Sequence, residues 1–248
     1  MTDQEGSGAR FEWGLAGAAE LGRTCAVLVV VDVLSFTTAV DVAVSRGIRV
    51  HPFPWTAQAA AYAQRIGAAV AVGRSELSTA TPWSLSPASL MTAPAVADLV
   101  LPSPNGSTIC AAAGATGTPV LGACLRNASA VASWLRNNGY GGADRPIGVI
   151  AAGERWPDGT LRPSVEDLLG AATVLDKLSH VSGGLSVEAA VALAALAALP
   201  DPAAAIRGSV SGRELSDRGF AADVEVALDA DVSTTVPMIE HGVFTEAT

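Results

Sequence analysis

Residues 26–31, Ala-Val-Leu-Val-Val-Val, form an unbroken apolar run that stops at Asp32. Alternation, the mark of a strand with one wet face, is missing. A short β-branched run of this kind reads as a strand buried on both faces, which requires helices above and below a sheet. The neighbouring segments agree. Residues 35–44 carry Phe36, Ala39, Val40 and Ala43 at helical spacing, and Gly47 stops them. Strand-like runs recur at residues 48–52, 68–72, 99–101, 119–123 and 147–152. Helical runs lie between them at 56–66, 105–114 and 127–135, with another at 165–178. Asn127 and Ser164 are read as the caps of the last two, with Asp167 completing a capping-box-like start. Residues 74–94, with Pro82, Pro87 and Pro94, read as a long functional loop. The C-terminal third is more helical (187–199, 211–217, 221–228), with a late strand at 236–239. Short connections between alternating strands and helices predict an α/β fold in three layers, αβα, with a mostly parallel or mixed sheet.

Composition narrows the function. The chain has 248 residues, is 50% apolar and carries a net charge of −9. It is long enough to bury a core without a staple, as one domain over 1–248 or as two intimate lobes. The acidic balance repels phosphate backbones and anionic lipid, so neither nucleic acid nor a membrane is the expected partner. Cys25, Cys110 and Cys124 have no C-x-x-C spacing, which fits a reduced, cytoplasmic setting. The first ten residues lack a basic region and an apolar region, so no signal peptide is expected there. No apolar run reaches the ~20 residues that a membrane span requires. The protein is expected to work alone or as a homodimer.

In α/β sheets, ligands bind outside the carboxyl ends of the strands. The residues just beyond those ends are therefore the candidates: Asp32, Ser35, Thr37 and Thr38; Arg74; Asn105, Gly106 and Ser107; Arg126 and Asn127; Glu154; and Glu166 with Asp167 at the next helix start. Small polar residues or glycine at helix N-termini suit an anion such as phosphate. Asp32, Glu154, Glu166 and Asp167 offer hard oxygen ligands for Mg²⁺. Each also has a plainer reading. Asp32 and Asn127 could be caps, Glu154 could pair with Arg155 or Arg162 on the surface, and acids are favoured in a first helical turn anyway. His51, His180 and His241 are scattered, and G-x-S-x-G, G-x-G-x-x-G and Walker patterns are absent.

The ordered set of motifs resembles the 2-phosphosulfolactate phosphatase family. Val30-Val31-Asp32-Val33-Leu34 with Thr37-Thr38 is similar to its D-V-L-R-A-[ST]-T segment. Asn105-Gly106-Ser107 resembles T-N-G-T, and Asn127-Ala128-Ser129-Ala130-Val131-Ala132 resembles N-A-x-A-V-A. Ala152-Gly153-Glu154, Glu166-Asp167, the segment from Ser211 to Asp223 and Val236-Pro237 complete the series. The resemblance implies a Mg²⁺-dependent phosphatase acting on a small phosphorylated acid. Asp32, Glu154 and Asp167 would be catalytic, with Asp32, Glu154, Glu166 and Asp167 as candidate metal ligands. Ser35, Thr37, Thr38, Arg74, Asn105, Gly106, Ser107, Arg126 and Asn127 would bind substrate. Asp32 could ligate the metal or attack phosphorus; both roles are open.

Two departures bear on the substrate. Ser35 stands where the family motif has Arg, and Arg74 stands where a G-E-R motif has Glu. Ser cannot make the bidentate phosphate contact of a guanidinium. Either Arg74 or Arg126 is therefore expected to reach the Asp32 cleft. Asp32, Asn105, Asn127, Glu154 and Asp167 are expected to line it together. The alternative is a non-catalytic anion-binding protein on the same scaffold.

Overall fold

The computed structural model describes residues 4–114 and 117–248; the first three residues of the N-terminal segment, for which no signal peptide is expected, lie outside the described residues. The strands are β1 (Ala9–Trp13), β2 (Val27–Val31), β3 (Arg49–Pro54), β4 (Ala69–Val70), β5 (Asp98–Ser103), β6 (Val120–Ala123), β7 (Ile147–Ala151), β8 (Glu154–Arg155), β9 (Leu161–Arg162), β10 (Pro237–Glu240) and β11 (Val243–Glu246). Nine of them form one mixed sheet in the order β1-β7-β2-β6-β10-β11-β3-β5-β4, and β8 pairs with β9 alone.

The sheet consists of two parallel blocks. In one, β1, β7, β2 and β6 run parallel; in the other, β3, β5 and β4 do. The antiparallel hairpin β10–β11 is inserted between them. Its two-residue turn, His241 at φ 53° and Gly242 at φ 83°, places both residues in the left-handed region, the backbone of a type I′ hairpin.

The helices are α1 (Gly14–Leu21), α2 (Phe36–Ser45), α3 (Gln58–Ile66), α4 (Pro87–Thr92), α5 (Gly106–Gly114), α6 (Ala128–Asn137), α7 (Val165–Lys177), α8 (Val187–Ala197), α9 (Pro202–Arg207), α10 (Val210–Asp217) and α11 (Ala221–Leu228). Strand β2 explains why there are three layers. Val27, Val29 and Val31 pack into one core with α6, α7 and α8. Leu28 and Val30 pack into the other with Phe36 and Val40 of α2 and Ile109 of α5. All five residues are fully buried, as period-two alternation with apolar residues on both faces demands. The expected three-layer α/β architecture is present. Among the described residues no helix is long and apolar enough to cross a membrane.

Two local readings are corrected. The 74–94 stretch is not all loop: it holds a 3₁₀ turn at Arg74–Glu76 and helix α4, capped by the Ser86 hydroxyl, which accepts from the Ser89 N–H. Neither Asn127 nor Ser164 caps its helix with its side chain. Both side chains are engaged elsewhere.

Candidate active site

Asp32 leaves the carboxyl end of β2 and turns into α2. The residue is 6% exposed. Oδ1 accepts from the Phe36 N–H at 3.0 Å, in the first turn of α2. Oδ2 accepts from the Gly106 N–H at 2.9 Å, at the start of α5. The positive ends of two helices thus converge on one carboxylate. Burial pushes its pKa up, the N–H groups of Phe36 and Gly106 oppose that rise, and the net direction is upward. Gly106 is required by close approach: a Cβ there would lie 2.6 Å from Asp32 Oδ2.

The two threonines that follow serve the turn. Thr37 Oγ1 accepts from the Asp32 N–H and donates to the Asp32 carbonyl, at 2.9 and 2.8 Å. Thr38 Oγ1 donates to the Val33 carbonyl at 2.8 Å. The α2 N–H groups that sequence offered to a ligand are therefore spent on Asp32 itself. Ser107 is likewise internal, donating to the carbonyls of Phe53 and Ser103. That contact ties the end of β3 to the end of β5 beside Asp32.

Asp167 lies behind Asp32. Its Oδ1 accepts from the Val33 N–H at 2.8 Å; its Oδ2 accepts from the Gly153 N–H at 2.9 Å and the Ser164 hydroxyl at 3.0 Å. It clamps the β2 and β7 exits together, and burial beside Asp32 and Glu166 holds its pKa well above the usual carboxylate range. Glu166, also buried, accepts from the Ser209 hydroxyl. Glu154 faces the cleft and accepts from Asn105 Nδ2 at 2.8 Å. Burial, then the charge of Asp32, raises its pKa to about 7. It is not in an ion pair with Arg155 or Arg162.

These residues border a cleft of about 690 Å³. Asp32, Ser35, Arg74, Asn105 and Glu154 line it, with Arg155, Trp156, Arg162, Trp55, Ser211 and Arg218, none of which stood among the sequence candidates. The signal for Arg155 and Arg162 was a short hairpin, β8–β9, hidden by the length of its strands. Arg74 donates through Nε to Asp223 at 2.7 Å and through Nη2 to the Ser35 hydroxyl. Arg74, not Arg126, is thus the guanidinium that lies beside position 35 in the cleft.

Arg126 and Asn127 go elsewhere. Arg126 donates to the buried Asp41 at 3.0 Å and to the Val226 carbonyl, locking α2 to α11. Asn127 accepts from the Cys124 N–H and donates to the carbonyls of Gly122 and Thr235. Neither lines the cleft, because the loop after β6 is covered by α11 and the segment leading to β10. Of the five residues expected to converge, Asp32, Asn105 and Glu154 line the cleft, Asp167 backs it, and Asn127 does not reach it.

No group of three or more His, Cys, Asp or Glu among the described residues is arranged to hold a metal. Mg²⁺ does not need one. It commonly takes one or two carboxylates, keeps several waters and shares phosphate oxygens. Asp32, bordering the cleft, is a single carboxylate of the kind such an ion would use.

The fold and cleft define an α/β protein with acidic and guanidinium groups gathered at the carboxyl ends of its strands. The family model described as 2-phosphosulpholactate phosphatase matches residues 17–242, and the chain belongs to that family of phosphatases. Comparison with curated proteins gives no match.

Proposed function

We propose that the cleft hydrolyses the phosphate monoester of a small acidic hydroxy acid, of the 2-phosphosulpholactate kind, with Mg²⁺. The observation carrying this reading is the meeting of Asp32, Glu154 and Arg74 in one cleft. A guanidinium has five N–H donors. Arg74 uses Nε for Asp223 and one Nη2 donor for Ser35, leaving others for phosphate oxygens. Glu154, raised to about 7, is about half protonated at neutral pH and largely protonated a unit below it. It is suited to give its proton to the leaving oxygen as the P–O bond breaks. Asp32 is the carboxylate suited to a cation, anchored by two helix N-termini and bordering the cleft. When bound, Mg²⁺ would neutralise phosphate oxygens and lower the pKa of a bound water. Asp167 fixes the backbone that carries Asp32 and acts by positioning.

A purely anion-binding protein is not favoured. The family whose model matches residues 17–242 is one of phosphatases, and its motif-bearing carboxylates Asp32 and Glu154 line the cleft. The test is release of inorganic phosphate from a panel of phosphorylated hydroxy acids, with Mg²⁺ and with a chelator. Metal-dependent release supports the reading. Tight binding of the panel without release would overturn it.

A further inference from the structure

Two guanidiniums in the cleft are in no close ion pair among the described residues, although Arg162 is near enough to Glu154 for its charge to hold that carboxyl's pKa down. Arg218 is paired with Glu214, and Arg74 with Asp223. Arg155 and Arg162 are in no ion pair among the described residues. Among the described residues Arg155 donates to the carbonyls of Gly159 and Pro104, at 3.3 and 3.4 Å. Arg162 donates to the Ser211 hydroxyl at 3.3 Å and lies 5.8 Å from the Trp156 ring centroid. These are long, neutral contacts for groups whose best partners are planar anions.

Their placement is set by β8–β9. The register puts Arg162 directly opposite Glu154 and Arg155 opposite Leu161. Glu154 is tied to Asn105, so the hairpin holds Arg162 beside the proton-donating end of the cleft. Arg74 serves another part of the wall, through Ser35 and the α2 start. The cleft thus offers two separate cationic positions. One phosphate would use only one of them. The chain carries a net charge of −9, so an unpaired guanidinium pair inside a cleft marks a local need for positive charge.

We infer that Arg162, assisted by Arg155, is the specificity determinant that binds a second acidic group of the substrate, a carboxylate or sulfonate on the leaving hydroxy acid. This rests on the phosphatase reading. It places the leaving group under the β8–β9 hairpin and the phosphate toward Arg74. The hairpin then reads the acid, while Asp32 and Glu154 act on the ester.

The experiment compares kcat/KM for 2-phosphosulpholactate with kcat/KM for the neutral-leaving-group ester p-nitrophenyl phosphate. It is done at pH 6, where Glu154 is largely protonated with or without its Arg162 neighbour. The native enzyme prefers the acidic ester. Arg162→Ala lowers that preference at least tenfold, mainly through KM, and Arg162→Lys restores part of it. Arg155→Ala gives a smaller loss and keeps the test open if Arg162→Ala fails to fold. An unchanged preference ratio in both Ala variants overturns the inference. Titration of the dephosphorylated hydroxy acid separates this result from failure of the phosphatase reading. Binding that weakens at least tenfold in Arg162→Ala supports the acid site even if no ester is hydrolysed. Equal binding in both proteins refutes it.

Discussion

The Arg74 guanidinium donates to the Ser35 hydroxyl, across a separation of 39 residues. Its other anchor is Asp223, itself held by the Ser86 hydroxyl and the Ala88 N–H. A guanidinium is thus held over the start of α2 from the 3₁₀ turn after β4. Arg74→Ala should weaken binding of inorganic phosphate, with Mg²⁺ present, by about 1.5–3 kcal/mol, the scale of a charged hydrogen bond. Titration calorimetry checks this. Ser35→Arg alone would crowd two guanidiniums and should also weaken binding. The pair Ser35→Arg with Arg74→Glu should recover part of the loss, a coupling that a double-mutant cycle reads directly.

Arg126 should behave differently. Its partner Asp41 is fully buried, and its other contacts bind α11. Among the described residues, Arg126→Ala leaves that carboxylate with the Ser233 hydroxyl as its one side-chain donor. The expected cost is about 3–5 kcal/mol of stability, seen as a lowered denaturant midpoint. Phosphate affinity of the folded fraction should not change.

Glu154 links pH to stability. Its folded pKa of about 7 lies above its ordinary 4.5. Between those values the native state holds a proton that the unfolded chain has lost. Stability is therefore fully present below about pH 4.5 and falls as pH rises through 7. Glu154→Gln removes that penalty. In metal-free protein it should raise stability at pH 8 by on the order of 1–3 kcal/mol relative to pH 5. Equal effects at both pH values would refute the assignment. The same substitution should lower kcat by about 10²–10⁴, the range for one general acid.

Gly106→Ala probes the contact between α5 and Asp32. A Cβ would lie 2.6 Å from both Asp32 Oδ2 and Phe36 Cδ1. Relief requires moving the helix or the carboxylate. A loss of about 1–3 kcal/mol of stability is expected from overpacking, together with a drop in turnover. Thermal unfolding and phosphate release measure the two.

Some of this is legible in the chain. The run ending at Asp32 points to the buried strand Val27–Val31, because its short β-branched stretch and the helical spacing after it agree, and to Asp32 as the residue at that strand's carboxyl end. The first strand, Ala9–Trp13, is not legible, although Ala9, Phe11 and Trp13 alternate with Arg10 and Glu12. Its pairing partner β7 lies far along the chain, so only tertiary structure completes the signal. The β8–β9 strands are two residues each and have no period to detect. For the same reason Arg155 and Arg162 do not stand out in the sequence. Arg126 shows the converse failure. Position after a strand end suggests a ligand role, but whether such a loop stays open depends on what later segments cover it.

In the proposed reaction Asp32 sits at the reacting centre. The direct measurement is kcat for phosphate release from 2-phosphosulpholactate at pH 6 with Mg²⁺, in the native chain and in Asp32→Asn. Circular dichroism confirms that both are folded. The predicted result is turnover by the native enzyme and a loss of at least about 10³-fold in the variant, on the scale of removing a principal charge-stabilising group. Turnover by folded Asp32→Asn within tenfold of native would contradict it.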